Sequence, residues 1–346
     1  MINDIIPAPA PLALAGKLAN QIAGAGIFED YRGRKSPQTI RRQDNDLALF
    51  GAFLRSAGLD PGDFAQDPQA WQGITWGLVE GFKRWLLAES YAVGSVNVCL
   101  TTVRVYAALA AQAGIIPPTE LTLIRSVKGY RRAEGKHIDE LRAAQGQAIR
   151  RKARRDGSRA RKKAAPVGIT PNQAAELKAQ PDTPQGRRDA LIVCLLLDHG
   201  LRVGEVAGLR VDSYDLKAGE LRFYRPKVDR LQTHKLTPDT LAAARAYLAQ
   251  DAPALGSIWR GSRKNGELAG AGMGARAITA RVKALGAAVG IPGLSPHDCR
   301  HYWATQAARS GTQLERLKDA GGWSSLAMPE RYIEAARIAN QGVLLE

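Results

Sequence analysis

The sequence predicts a mainly α-helical protein of two successive domains, the second carrying a small β-hairpin. Three observations lead there. Apolar residues recur at helical spacing between residues 30 and about 128. A dense run of arginine and lysine follows, and beyond it lies a second, mostly helical region. Inside that region two short β-leaning runs flank Arg225-Pro226-Lys227-Val228-Asp229. The chain has 346 residues, enough for two ordinary cores.

The elements follow in order. Residues 1–30 are rich in Ala, Pro and Gly and read as a flexible N-terminal arm. Ser36-Pro37 is a helix start, a serine cap with proline at the first helical position. Leu47, Phe50, Phe53 and Leu54 continue that helix. Trp76, Val79, Phe82 and Leu86 mark a second helix and its core-facing side. Val96, Leu100, Val103, Tyr106 and Leu109 mark a third, ended by Gly114 and Pro117-Pro118. Residues 31–128 are therefore expected to form a small helical domain. Residues 129–165 read as a basic linker, because like charges repel and resist packing. Arg150, Arg151, Lys152, Arg154, Arg155, Arg161, Lys162 and Lys163 are its candidate phosphate contacts. The second domain, 166–346, opens at the cap-and-proline pair Thr170-Pro171. Its apolar run from Ala190 to Leu197 suits a buried helix, and the hairpin places Lys227 in its turn.

Composition narrows the partners. Basic residues number 49 against 33 acidic ones, a formal charge of +16. With a pI near 10.0, nucleic acid is the expected polyanion. Three widely spaced cysteines give neither a disulfide framework nor a zinc pattern, which fits a reducing compartment. The start, Met1-Ile2-Asn3-Asp4, lacks the positive charge of a signal peptide, and no run of 18 apolar residues is present. A cytoplasmic, nucleoid-associated protein with no membrane partner is expected.

Separated motifs carry the chemistry. Arg202 stands in His199-Gly200-Leu201-Arg202-Val203-Gly204-Glu205. His297 precedes Arg300 by three residues, the spacing of one helix face. Trp323 follows Gly321-Gly322, and Tyr332 comes nine residues later. Two arginines fork onto phosphate oxygens, a histidine donates or takes a proton, and a phenol beside cations can attack. Each residue alone reads more simply, as a surface arginine, a capping histidine, a core tryptophan or a packed tyrosine. His297 and His301, at i and i+4, also admit a metal reading, without a clear third ligand.

This order of residues resembles the tyrosine recombinase (phage integrase-like) family. The resemblance covers about residues 190–335 by motif. It implies a helical core-binding domain followed by a mixed α+β catalytic domain, the two clamping DNA. It also implies cleavage and rejoining at a specific site through a 3′-phosphotyrosine and a Holliday junction, with neither metal, cofactor nor ATP. Partners would be double-stranded DNA, three further copies of the chain in a homotetramer, and in some systems an accessory factor. Carried onto this sequence, Tyr332 is the nucleophile, Arg202 and Arg300 grip the phosphate, and His297 handles protons. Glu205 orients an arginine, and Trp323 fills a slot where many relatives have histidine. Lys227 is the general acid, although family hairpins often read Gly-Lys-Gly; Lys235 and Arg230 are alternatives. The apolar tail after Tyr332 would dock on a neighbouring subunit or on its own domain. An arm of 30 residues fits a simple recombinase better than a large arm-binding integrase. A catalytically silent DNA-binding protein on the same fold, a type IB-like topoisomerase and a metal-dependent nuclease are the competing readings.

Overall fold

The structure is a computed structural model that describes residues 11–147, 167–263, 266–268, 270 and 272–336, excluding the side chains of Arg132 and 333–336. The chain divides into two compact units, Met1–Lys162 and Lys163–Glu346.

The first unit contains helices α1 (Pro11–Ala25), α2 (Ile27–Gly33), α3 (Pro37–Ser56), α4 (Trp76–Ala88), α5 (Val93–Gln112), α6 (Pro118–Ser126) and α7 (Arg132–Ala144). α3 starts as expected: Thr39 N–H donates to Ser36 Oγ at 3.3 Å, with Pro37 at the first position. Its Leu47, Phe50 and Leu54 meet Val79, Phe82 and Leu86 of α4 and Val96, Leu100, Val103 and Tyr106 of α5 in one core. α5 is long and apolar enough to cross a membrane. Its buried face is this core, which accounts for its apolar character. α5 ends at Gln112, with Gly114 just beyond at φ 80°, and Pro118 opens α6 as its first residue.

Three expectations change here. Trp76 is not core: it is 47% exposed at the first position of α4, where orphan N–H groups need partners, and its N–H donates to Glu120 at 2.5 Å. The tryptophan that fills the core is Trp71, whose indole N–H donates to Phe64 O at 3.1 Å. The residues read as an arm hold α1 and α2 instead. Alanine-rich sequence propagates helix, and Phe28 is buried with its ring edge-on to Tyr106 at 5.3 Å. The first half of the expected linker is also folded. In α7, Glu134 accepts from Arg131 N–H at 2.6 Å, and buried Arg142 donates to Tyr91 O at 2.9 Å and to Leu87 O. Those carbonyls lie at the end of α4, where a cation is favoured. The eight proposed phosphate contacts, from Arg150 to Lys163, lie outside the described residues, as does the tail from 337.

The second unit contains α8 (Pro171–Lys178), α9 (Pro184–Asp198), α10 (Val203–Ala207), strands β1 (Tyr214–Asp215), β2 (Glu220–Arg225) and β3 (Arg230–Lys235), then α11 (Pro238–Gln250), α12 (Ala275–Ala288), α13 (Pro296–Arg309), α14 (Leu314–Gly321) and α15 (Ala327–Ala336). α8 begins with the expected cap, a reciprocal Thr170–Gln173 box. The apolar run in α9 is buried from Leu191 to Leu197, and α8, α11 and α13 pack around it. The strands form an antiparallel sheet in the order β1-β2-β3, with Arg225 opposite Arg230. Lys227 lies in the intervening turn, whose Asp229 takes a positive φ of 46°. The fold class is therefore the one the sequence predicts, mainly helical with one small sheet.

Two histidines beside this sheet bear on stability. His199 follows α9 with Nε2 3.2 Å from Thr240 Oγ1, and burial pushes its pKa from 6.5 down to about 4. His234 of β3 is pushed down to about 3, by burial first and then by His199 and Arg225. Both are neutral in the folded protein and gain a proton more readily when unfolded. The stability they contribute is complete above pH 6.5 and is lost as pH falls toward 4. For buried His199 this is about 3 kcal/mol. Thermal melts from pH 7 to 4 should show the midpoint falling over this range, with a shallower fall in His199→Gln. An equal slope in that variant would dismiss His199 as the cause.

Candidate active site

The site is assembled around the end of α14. A helix C-terminus leaves carbonyls without intrahelical partners and carries partial negative charge. Here those carbonyls accept from three arginines. Arg225 Nη2 donates to Ala320 O at 2.7 Å and its Nη1 to Gly321 O at 3.1 Å. Arg300 donates to Gly321 O, and Arg202 Nη2 to Gly322 O at 3.1 Å. Gly322 closes the helix at φ 58°, and a Cβ there would sit 2.5 Å from Arg225 Cδ, so glycine is required twice over.

Glu205 binds two of these cations. Arg202 is the N-cap of α10 and Glu205 its third residue, so the carboxylate accepts from Arg202 N–H at 2.8 Å and from Nη1 at 2.8 Å. From the other side Arg225 Nη1 reaches both oxygens, at 3.1 and 3.0 Å. Arg300, near the middle of α13, also donates to Gly200 O. Gly200 has φ 58°, and a Cβ on it would overlap the Trp303 ring at 2.1 Å. The Trp323 ring lies under the Arg300 guanidinium, 4.5 Å away.

Among the described residues, three guanidiniums gather against one carboxylate and leave an excess of positive charge in a largely buried place. Burial, then Arg202 and Arg225, push the Arg300 pKa down to about 9, with Glu205 opposing. Arg300 remains protonated at neutral pH. Burial lowers Arg225 as well. Such a cluster favours an anion that neutralises it.

Tyr332 of α15 stands beside this cluster. It is 3% exposed, and its hydroxyl has no hydrogen-bond partner among the described residues. Its ring lies 5.6 Å from Trp323 and 5.0 Å, edge-on, from His301. Burial raises its pKa above 10, while Arg300, Arg202 and Arg331 pull the other way. His297, exposed in the first turn of α13, has Nε2 3.1 Å from Nε2 of His301. That turn is fixed by Asp298, which accepts from Ser295 N–H at 2.9 Å. Both histidines and Tyr332 line one open cavity of about 560 Å³.

Arg202, Glu205, Arg300 and Trp323 thus converge, with Tyr332 and His297 along the cavity beside them. Lys227 is exposed at the hairpin tip and makes no ion pair or hydrogen bond among the described residues. Of its alternatives, Arg230 is exposed and Lys235 Nζ donates to Ala218 O at 2.6 Å. One member went unread in the sequence: Arg225, which is fully buried. The signal was there, since Leu221, Phe223 and Arg225 occupy successive inward positions of β2, and an arginine on an inward face needs a buried partner.

Residues 168–337 match the model of the phage integrase family. Tyrosine recombinase XerC of Mycobacterium sp. (strain JLS) is 27% identical over 316 residues, 88% of this chain and 91% of that protein. Tyrosine recombinase XerD of Neisseria meningitidis serogroup B is 29% identical over 189 residues, 52% of this chain and 62% of that protein. Among solved structures, the Tn1549 transposon integrase in complex with transposon right end DNA covers 92% of this chain and 97% of its own, with TM-score 0.61 and 13% identity. A lambda integrase dimer bound to a COC′ core site gives 0.55 and 12%, over 92% of this chain and 95% of its own. At those identities the likeness is one of fold. Residues 168–337 belong to the phage integrase family of tyrosine recombinases, enzymes that cleave and rejoin DNA strands.

Proposed function

We propose that this protein carries out site-specific recombination with Tyr332 as nucleophile and Arg202 and Arg300 as the phosphate clamp. The observation that carries the assignment of residues is the cationic cluster beside a buried phenol that has no hydrogen-bond partner among the described residues. A phosphodiester brought there would neutralise the excess charge and meet Tyr332 together. The phenol oxygen attacks phosphorus, the bond to the 5′ oxygen breaks, and a 3′-phosphotyrosine holds the strand. Arg202 and Arg300 stabilise the charge that gathers on the non-bridging oxygens. The Trp323 indole N–H can donate to the same oxygens but cannot shuttle a proton. Because burial keeps Tyr332 protonated, its proton needs an acceptor, a role that suits His297. Lys227 protonates the departing 5′ oxygen; its free, exposed position on the hairpin suits a group that meets DNA as it binds. Rejoining reverses these steps, so the energy of the broken bond is retained and ATP is unnecessary.

Double-stranded DNA is the partner, in keeping with integrase relatives solved with transposon-end and core-site DNA. The formal charge of +16 favours it too. The working assembly is a homotetramer on a specific site, acting in the cytoplasm on nucleoid DNA. The helical first unit serves as the core-binding domain and the second as the catalytic domain, joined by a basic segment whose arginines and lysines track phosphates.

A covalent trap tests the proposal. The chain is incubated with DNA from its own genetic neighbourhood, denatured, and the attached DNA is sequenced, with Tyr332→Phe in parallel. Attachment at one discrete sequence, absent from the variant, is expected. Scattered attachment would indicate a topoisomerase, and tight binding without attachment a silent DNA-binding protein.

A further inference from the structure

We propose that His297 and His301 form a chelating site for a divalent transition-metal ion, and that occupancy reversibly inhibits the enzyme. The two residues stand one turn apart on α13, and their Nε2 atoms face each other at 3.1 Å. Two imidazole nitrogens that bind one ion at about 2.0–2.1 Å, about 100° apart, stand about 3.1 Å from each other. The pair is thus already set at a metal's bite distance. The two Nε2 atoms lie within hydrogen-bond distance; chelation takes both rings as the neutral tautomer with the hydrogen on Nδ1, so that each Nε2 offers its lone pair. The cavity in front of them, about 560 Å³ and open, has room for water ligands. Tyr332, 3% exposed, lines the same cavity, and its hydroxyl has no hydrogen-bond partner among the described residues.

Among the described residues no cluster of three or more His, Cys, Asp and Glu exists that would hold a metal. Two protein ligands make an exchangeable site, unlike a resident cofactor centre with three or four. Imidazole ligation and the stability order of divalent ions favour copper, nickel and zinc over magnesium or manganese. The inhibitory half of the proposal rests on the role of His297 given above: an ion on its Nε2 removes the atom that would take the Tyr332 proton.

Calorimetric titration of the tag-free, full-length chain with nickel chloride, without DNA, tests the binding. One equivalent per chain is expected. His297→Gln and His301→Gln should each weaken binding by about 100-fold, the upper end of what even an outer-shell partner costs. His137→Gln, at an exposed histidine of α7, should leave it in place. Unchanged binding in both cavity variants, or no binding up to millimolar nickel, would overturn the site. His297 is exposed, so its variant stays informative even if His301→Gln unfolds. With wild type, covalent DNA attachment should fall in step with occupancy and return on adding EDTA. Full attachment at saturating nickel would overturn the inhibition alone, while failure of the recombinase reading would leave the calorimetry intact.

Discussion

Arg300→Ala is expected to slow DNA cleavage by about two to four orders of magnitude, by loss of preorganised charge at the phosphate. The structure gives the reason this arginine is costly to keep. It is 3% exposed, and like-charge neighbours and burial push its pKa to about 9. Of a guanidinium's roughly five donor hydrogens, two are spent on Gly200 O and Gly321 O, and the rest remain for a ligand. An unbalanced buried charge that the fold retains is one that a bound anion neutralises. Arg300→Lys keeps the charge and loses the fork, so its rate should fall between wild type and Arg300→Ala. Single-turnover formation of the covalent complex is the measurement, with thermal melts to confirm that the variants fold. A rate near wild type in Arg300→Ala would remove this residue from the reacting phosphate. The same logic holds for Arg202, which is more exposed and tied to Gly322 O and Glu205.

Glu205→Ala should destabilise the second unit by about 3–5 kcal/mol, the cost of leaving a buried charge without its partner. Glu205 is the carboxylate bonded to Arg202 and Arg225, and Arg225 is fully buried. Without it three cations share one pocket, faced by neutral acceptors such as the carbonyls at the end of α14, Gly200 O and Gln232 Oε1. Removing both partners should cost less than removing one, because the penalty lies in the orphaned charge. Arg225→Met in the Glu205→Ala background is therefore expected to recover part of the loss. Urea midpoints of the two single variants and the double variant give the coupling energy. A single-variant loss below about 1 kcal/mol would mean that solvent reaches Arg225 and that the pair is not a true buried bridge.

Both results depend on groups far apart in sequence, and here the reach of sequence reading differs between residues. Tyr332, Arg202, Arg300 and His297 stood out because their types, order and spacing are rare together. The helix starts at Ser36 and Thr170 stood out because a cap hydroxyl followed by proline is a local signal, decided within four residues. Trp76 was misplaced for the converse reason: periodicity assigns a face, but the first turn of a helix projects beyond the neighbour that the face packs on. α7 was missed because charge density argued for a linker, while long-range contacts, packing on α5 and the insertion of Arg142 beneath the end of α4, hold the helix in place.

The sequence by itself determined the helical class, the hairpin and the basic character, because each follows from local pattern or composition. The tertiary structure alone decided that Arg225 joins Arg202 on one carboxylate, and that the end of α14 gathers three guanidiniums. It also decided that Tyr332 is buried with no hydrogen-bond partner among the described residues and that the two histidine nitrogens meet at 3.1 Å. Those facts rest on burial and on distances between residues up to 120 positions apart, and chain order carries no information on either.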